Sequence, residues 1–288
     1  KEGLGSTTRL NRFRRCRDRM SRPTICVTLR GCSVDEMLSD AARATAVGAD
    51  ICEIRLDKLW VIEELPAPVE REEPKADRRR RRPVYIPPDY IPQEMDSVDL
   101  KEALAALQGG IDLPVVITCR PIRQGGYFPG TEEERIAVLR TAIETGVSWV
   151  DLETDIDKQT RDELLTLAQG KTKVIASLHT GSEPASAVEV VEDIEELEGR
   201  GEIIKICYNT SGRISGLKLY EAAWNMKDSG LKTAIMGLGI GGDWTRIHAP
   251  LLGQHLVYST METGAHLAGQ GRINASDLLI AWDMLQYE

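Results

Sequence analysis

The chain has 288 residues, a net charge of −9 and a pI of about 5.2. That acidic balance excludes a general nucleic-acid binder, which needs a basic face, and no apolar run approaches the ~20 residues that span a bilayer as a helix. A hydrophobic fraction of 42% is enough for one sizeable core, and α/β barrels occupy roughly 200–250 residues as a single domain.

Residues 1–22 are rich in arginine (Arg9, Arg12, Arg14, Arg15, Arg17, Arg19, Arg22) and have no apolar period. They read as a solvated, disordered tail, and no signal-peptide apolar stretch follows them. From residue 23 to 288 the pattern is that of one barrel domain. Strand-like runs occur at PTICVTL (23–29), ICEIRLD (51–57), PVVITCR (114–120), WVDLET (149–154), KVIASLH (173–179), IIKICY (203–208), KTAIMGLG (232–239) and LVYSTM (256–261). Amphipathic segments alternate with them, from SVDEMLSDAARATAVG to NASDLLIAWDMLQ, and TRIHAPLLG is read as the seventh helix. Several begin with a capping residue, and Thr131 with Glu134 has the spacing of a capping box. Eight strand–helix alternations predict a (β/α)8 TIM barrel, α/β in class.

The stretch 61–98 breaks the rhythm. It holds seven of the thirteen prolines and the run Arg78–Arg82, so it is expected to be neither helix nor strand but a surface insertion. The six cysteines (Cys16, Cys26, Cys32, Cys52, Cys119, Cys207) include no CxxC pair. A zinc site is therefore not expected, and small buried thiols suit a reducing, cytoplasmic setting.

Chemistry shows in the charged residues placed inside strand-like runs. Glu53, Arg55 and Asp57 alternate along the second run and share one face. Arg120 ends the third, Asp151 and Glu153 lie in the fourth, His179 ends the fifth, and Lys205 is the centre of the sixth, EIIKICYN. In a TIM barrel the C-terminal strand ends carry the active site. Lysine is almost never fully buried without a partner or a task. Burial, with Arg55 and Arg120 nearby, is expected to favour the neutral amine of Lys205. Such an amine condenses with a ketone to an imine, and His179 on the neighbouring strand can serve as its base. These residues alone leave elimination, aldol chemistry on a hydroxy-keto acid, and a non-catalytic binding barrel all open. GLGIGG (237–242) lacks the GxGxxG spacing and follows the seventh strand, so it is not read as a dinucleotide fingerprint. His248 and His255 are read as structural.

Seven short motifs fall in one order: EIRLD (53–57), TCRPIRQGGYFPG (118–130), VDLE (150–153), IASLH (175–179), IIKIC (203–207), TRI (245–247) and AGQ (268–270). In this the chain resembles the type I 3-dehydroquinate dehydratases over about residues 24–286. The resemblance implies a cytoplasmic lyase that dehydrates 3-dehydroquinate to 3-dehydroshikimate, the third step of the shikimate pathway, through a lysine imine and with no metal or other cofactor. It also implies a small-molecule substrate as partner and, since dimers are common in that family, a homodimer. Carried over by position, Lys205 resembles the imine lysine and His179 the acid/base histidine. Glu53, Arg55 and Arg120 resemble the residues around the substrate hydroxyls, Arg246 the carboxylate-binding arginine, and Gln270 the glutamine of the closing loop. The chain departs from the family at Gln124, where glutamate is common, at Thr180 and Gly181 after the histidine, at His266, where serine is usual, and at Ala268, where proline is usual. His266 is expected to touch the substrate carboxylate or its water shell.

Overall fold

Alternation along each strand builds the barrel wall. The computed structural model describes residues 22–64 and 88–286; the expected tail and most of the insertion lie outside them. The described strands are β1 (Thr24–Thr28), β2 (Ile51–Arg55), β3 (Val61–Glu64), β4 (Asp89–Pro92), β5 (Val115–Thr118), β6 (Trp149–Glu153), β7 (Lys173–His179), β8 (Ile203–Thr210), β9 (Thr233–Gly239) and β10 (Leu256–Ser259). Eight of them form one parallel sheet in the order β10-β1-β2-β5-β6-β7-β8-β9. The expected eight-stranded barrel is therefore present. Ile204, Ile206 and Tyr208 of β8 pack outward on helices, whereas Ile203 and Cys207 point inward with Ile51, Ile175, Met236 and Tyr258. Period-two geometry then puts Lys205 inside with them.

The helices are α1 (Val34–Ala46), α2 (Leu100–Gly110), α3 (Glu132–Glu144), α4 (Lys158–Ala168), α5 (Ala187–Glu196), α6 (Arg213–Met226), α7 (Trp244–Ile247), α8 (His266–Gly269) and α9 (Ala275–Leu285). Ser33, Asp99, Asp157, Ser186 and Asn274 accept a backbone N–H at five helix starts. Thr131 and Glu134 complete the expected capping box on α3. Each such cap is typically worth ~1 kcal/mol. The predicted seventh helix is shorter than expected. Only Trp244–Ile247 is helical, and the chain then turns through Pro250 and Gly253. His248 stacks edge-on against Tyr220, in keeping with a structural role.

The ends of the insertion correct the sequence reading. Leu56–Trp60 forms a 3-10 turn, and β3 and β4 pair antiparallel with Glu64 opposite Asp89 and Val61 opposite Pro92. Pro92 is tolerated because an edge position needs no donated N–H. This hairpin is tied to the barrel mouth. Tyr90 stacks on Tyr127 with ring centres 4.3 Å apart, and Lys58 Nζ lies 4.7 Å from the Tyr90 ring. Trp60 meets Phe128 edge-on at 5.2 Å and donates from Nε1 to the Met95 carbonyl.

No backbone ladder joins β9 to β10 among the described residues. The seam is closed by His255 N–H donating to the Thr233 carbonyl (2.9 Å) and by the buried side chain of Gln254. Gln254 Oε1 accepts from Ile235 N (2.7 Å), while its Nε2 donates to Thr233 Oγ1 (3.1 Å).

Candidate active site

Inward positions at the C-terminal ends of the strands surround a cavity of about 560 Å³. Glu53, Arg55, Arg120, His179, Lys205, Arg246 and Tyr258 line it. Lys205 is 2% exposed. Register pairs Lys205 with Ser177 and Cys207 with His179, so the lysine and the histidine share the interior face of adjacent strands, one step apart. Arg55 and Arg120 line the same cavity as the amine, but the groups that it contacts directly are carboxylates, which the sequence reading did not assign to it. Lys205 Nζ donates to Asp151 Oδ2 at 2.8 Å and lies 3.6 Å from Glu53 Oε1. It also sits 4.2 Å from the centre of the Tyr258 ring. Both carboxylates are anchored in turn. Asp151 accepts from Ser177 Oγ, and Glu53 accepts from Thr28 Oγ1 (2.6 Å) and Thr118 Oγ1 (2.9 Å).

The electrostatics divide these groups. Burial opposes the charge on Glu53, but Lys205, Arg120 and Arg55 outweigh it and hold the carboxyl at about 2. Burial first, then Arg120, Lys205 and Arg55, hold the His179 imidazole well below 6.5. No carboxylate opposes that shift, so the histidine is a neutral base at neutral pH. Arg55 is gripped by Asp57 through two bonds, 2.8 and 2.6 Å, and that carboxylate raises the guanidinium above its ordinary value against the effect of burial. Tyr127 N–H donates to the same Asp57 (3.0 Å), which links the hairpin's aromatic pair to Arg55. Glu153 lies behind Arg120. Burial and the Asp151 charge push it up to about 7 against the pull of Arg135, which donates to it at 2.7 Å.

Several buried polar atoms of this cavity have no hydrogen-bond partner: Arg120 Nε and Nη2, Gln124 Oε1, His179 Nε2 and Tyr258 Oη. Buried polar groups are normally satisfied, so the set marks where a ligand with several oxygens supplies the missing bonds. Among the described residues, no group of three or more His, Cys, Asp or Glu is arranged to hold a metal ion.

The family model for type I 3-dehydroquinase matches residues 25–287. The chain belongs to the type I 3-dehydroquinase family. It is 26% identical to the 3-dehydroquinate dehydratase of Methanosarcina acetivorans over 258 residues, 88% of this chain and 92% of that relative. It is also 26% identical to the one from Desulfotalea psychrophila over 192 residues, 66% of this chain and 84% of that relative. In fold it is similar to the type I 3-dehydroquinate dehydratase of Clostridium difficile, with a TM-score of 0.72 at 21% identity and 92% of each chain covered.

Against the pattern of the type I 3-dehydroquinases, the remaining site residues fall into two groups. Glu53, Arg55, Arg120, His179 and Lys205 meet in one cavity. Arg246 reaches its wall but is 4% exposed and caged by backbone. Its Nη1 donates to the carbonyls of Gly237, Gly242 and Gly271 (2.6–2.8 Å) and its Nε to that of Tyr258 (2.9 Å). Burial lowers its pKa to about 10. Gly239, at φ +116, shapes this cage, and a Cβ there would lie 2.0 Å from the Thr210 carbonyl oxygen. Gln270 and His266 are not brought to the cavity wall. His266 opens the short exposed helix α8, and Gln270 Oε1 accepts from Arg272 Nη1 at 3.4 Å. The loop after β10 instead presents Arg272 to the cavity, held by Glu262 at 3.1 Å. Sequence reasoning missed three participants. Asp151 stood among the inward charges, so its role as the lysine's partner was within reach of the alternation. Tyr258 and Arg272 carried no comparable signal.

Proposed function

We propose that this barrel dehydrates 3-dehydroquinate to 3-dehydroshikimate through an imine on Lys205. One observation carries the reading. An amine and an unprotonated imidazole face each other from adjacent strands in a cavity whose buried donors and acceptors lack partners. The substrate ketone condenses with Lys205. His179 then removes a proton from the neighbouring carbon, with the iminium as electron sink. The β-hydroxyl leaves with a proton returned by His179, and water releases the product. Arg120 donates to the substrate hydroxyls, Glu53 and Arg55 orient that end of the ring, and Arg246 supplies positive potential for the carboxylate. Gln270 and His266 belong to the loop that closes over it.

The cation-rich wall supports a carboxylate substrate over a neutral one. Five free cysteines among the described residues support a reducing, cytoplasmic location. No described helix is long and apolar enough to cross a membrane. A homodimer belongs to the same reading, supported by Ile214, Leu217 and Trp224 on one exposed side of α6; sedimentation tests it. The chemistry is tested by an absorbance assay for the conjugated enone, with borohydride added during turnover. The expected result is enone formation and a stable adduct on Lys205 alone. Turnover without any adduct would overturn the imine, and an adduct without enone would point to aldol chemistry.

A further inference from the structure

Resting on that reading, we propose that Tyr258 is a further catalytic residue, whose hydroxyl donates a hydrogen bond to the substrate's ketone oxygen while Lys205 adds to its carbon. The tyrosine ring lies against the lysine amine, 4.2 Å from Nζ, so a carbon bonded to that nitrogen is held beside the ring. Tyr258 is buried in the cavity wall, and its hydroxyl is one of the atoms with no partner. A buried phenol normally finds a partner, and here the cavity is where one can come from. Burial, then the charges of Glu53, Cys26 and Asp151, push the phenol well above its ordinary range. It therefore remains a donor throughout neutral pH. Cys26, its register partner on β1, faces the same interior, and Tyr258 is the last inward residue of β10, one step beyond Leu256 towards the C-terminal end.

The step balances without an added reagent. Lys205 first gives one proton to His179; as the freed lone pair forms the C–N bond, the carbonyl π pair moves onto oxygen, where the Tyr258 hydrogen bond stabilises the developing charge until His179 delivers that proton to it. His179 then carries a second proton from nitrogen to that oxygen. The carbinolamine then loses water as the C–O bond breaks and the nitrogen lone pair forms the iminium. Ketone and lysine ammonium enter; iminium and water leave. Both protons of the departing water come from the ammonium, and Tyr258 keeps its own. His179 alone then performs the later removal of the C–H proton. The first stage thus draws on Tyr258 as well as His179, the second on His179 without Tyr258.

Tyr258→Phe tests this while keeping the ring against the amine. Removing one positioned donor costs ~10²–10³ in rate, so imine formation, followed by rapid quench with borohydride, should slow by about that factor. Substrate deuterated at the abstracted C–H should show its isotope effect on kcat/KM in the wild type and lose it in Tyr258→Phe, because condensation becomes limiting. A ring that only packs would not change the isotope effect. Imine formation at the wild-type rate in Tyr258→Phe, with the isotope effect intact, would overturn the proposal and leave the Lys205 reading untouched. Absence of an adduct in the wild type would instead remove the reading on which it rests. Tyr258→Leu, which loses ring and hydroxyl together, gives the packing contribution separately: equal rates in the Leu and Phe variants assign the whole effect to the hydroxyl, and a normal rate in Phe with a slow one in Leu overturns it.

Discussion

The floor and the rim of the cavity use the same kinds of residue and treat them in opposite ways. On the floor, Lys205, Asp151, Glu53, Ser177, Thr28 and Thr118 are matched atom to atom. At the rim, Arg120, Gln124, His179 and Tyr258 keep buried polar atoms with no hydrogen-bond partner, although Arg120 Nε lies 3.7 Å from Glu153 Oε1. A paired buried charge is expensive to break because its partner is left alone in a low-dielectric interior. An orphaned donor is already unsatisfied, so removing it costs the fold little and the ligand a great deal. The floor therefore belongs to stability and the rim to substrate, with Lys205 belonging to both.

The largest effect separates the two roles of Lys205. Lys205→Ala should abolish turnover and the borohydride adduct, and so should Lys205→Arg, which keeps a cation but no free amine. Next is the rim. His179→Ala should still form the imine yet lose ~10²–10⁴-fold in kcat, with its melting temperature near the wild-type value. In the wild type, kcat/KM should stay level from neutral pH downward and fall only well below pH 6.5, because His179 must lose its proton to act and its pKa is lowered. An acid limb centred at or above 6.5 would mean that the imidazole is not held down as described.

A floor variant should invert that pattern. Asp151→Asn leaves the buried Lys205 with only the longer Glu53 contact (3.6 Å) and should cost up to ~3–5 kcal/mol of stability by denaturant titration. If His179→Ala destabilised the protein as much as Asp151→Asn does, the division between floor and rim would not hold. The smallest effects concern the hairpin. Replacing 65–87 with a short Gly/Ser linker should leave turnover within about twofold, since loop length enters stability only logarithmically. Tyr90→Ala, by freeing Tyr127 and hence the Asp57 grip on Arg55, should raise KM a few-fold with kcat almost unchanged, the pattern of lost uniform binding.

What could be read in advance follows the reach of each physical signal. Strand position and inward direction came from alternation, so Glu53, Arg55, Arg120, His179 and Lys205 were recognised as one set before any fold was known. The partner of Lys205 was not, because Asp151 lies two strands away and only the barrel's curvature brings it to the amine. The strands of the hairpin were hidden by prolines, which argue against a strand unless it is an edge. Arg246 matched a motif, but its cage of carbonyls is assembled from β9, the turn after it, β10 and the segment before α9. The loop after β10 kept its AGQ motif while its local turn directs Arg272, rather than Gln270 or His266, to the cavity.

Gln254 gives the barrel a joint of a different kind from its other seven. Elsewhere the strands are held by repeated peptide-to-peptide bonds, which no side-chain substitution can delete. At the β9–β10 seam, the amide of Ile235 is held by a side chain. One substitution can therefore loosen the ring at a single place, leaving the His255-to-Thr233 peptide hydrogen bond to hold it. In Gln254→Ala, the Ile235 amide should exchange its hydrogen with solvent far faster than amides in the β8–β9 ladder beside it. The barrel would then behave over time as a sheet with two free margins, which opens from that margin inward. Met236, next along β9 and facing the cavity, would be among the first core side chains to feel it.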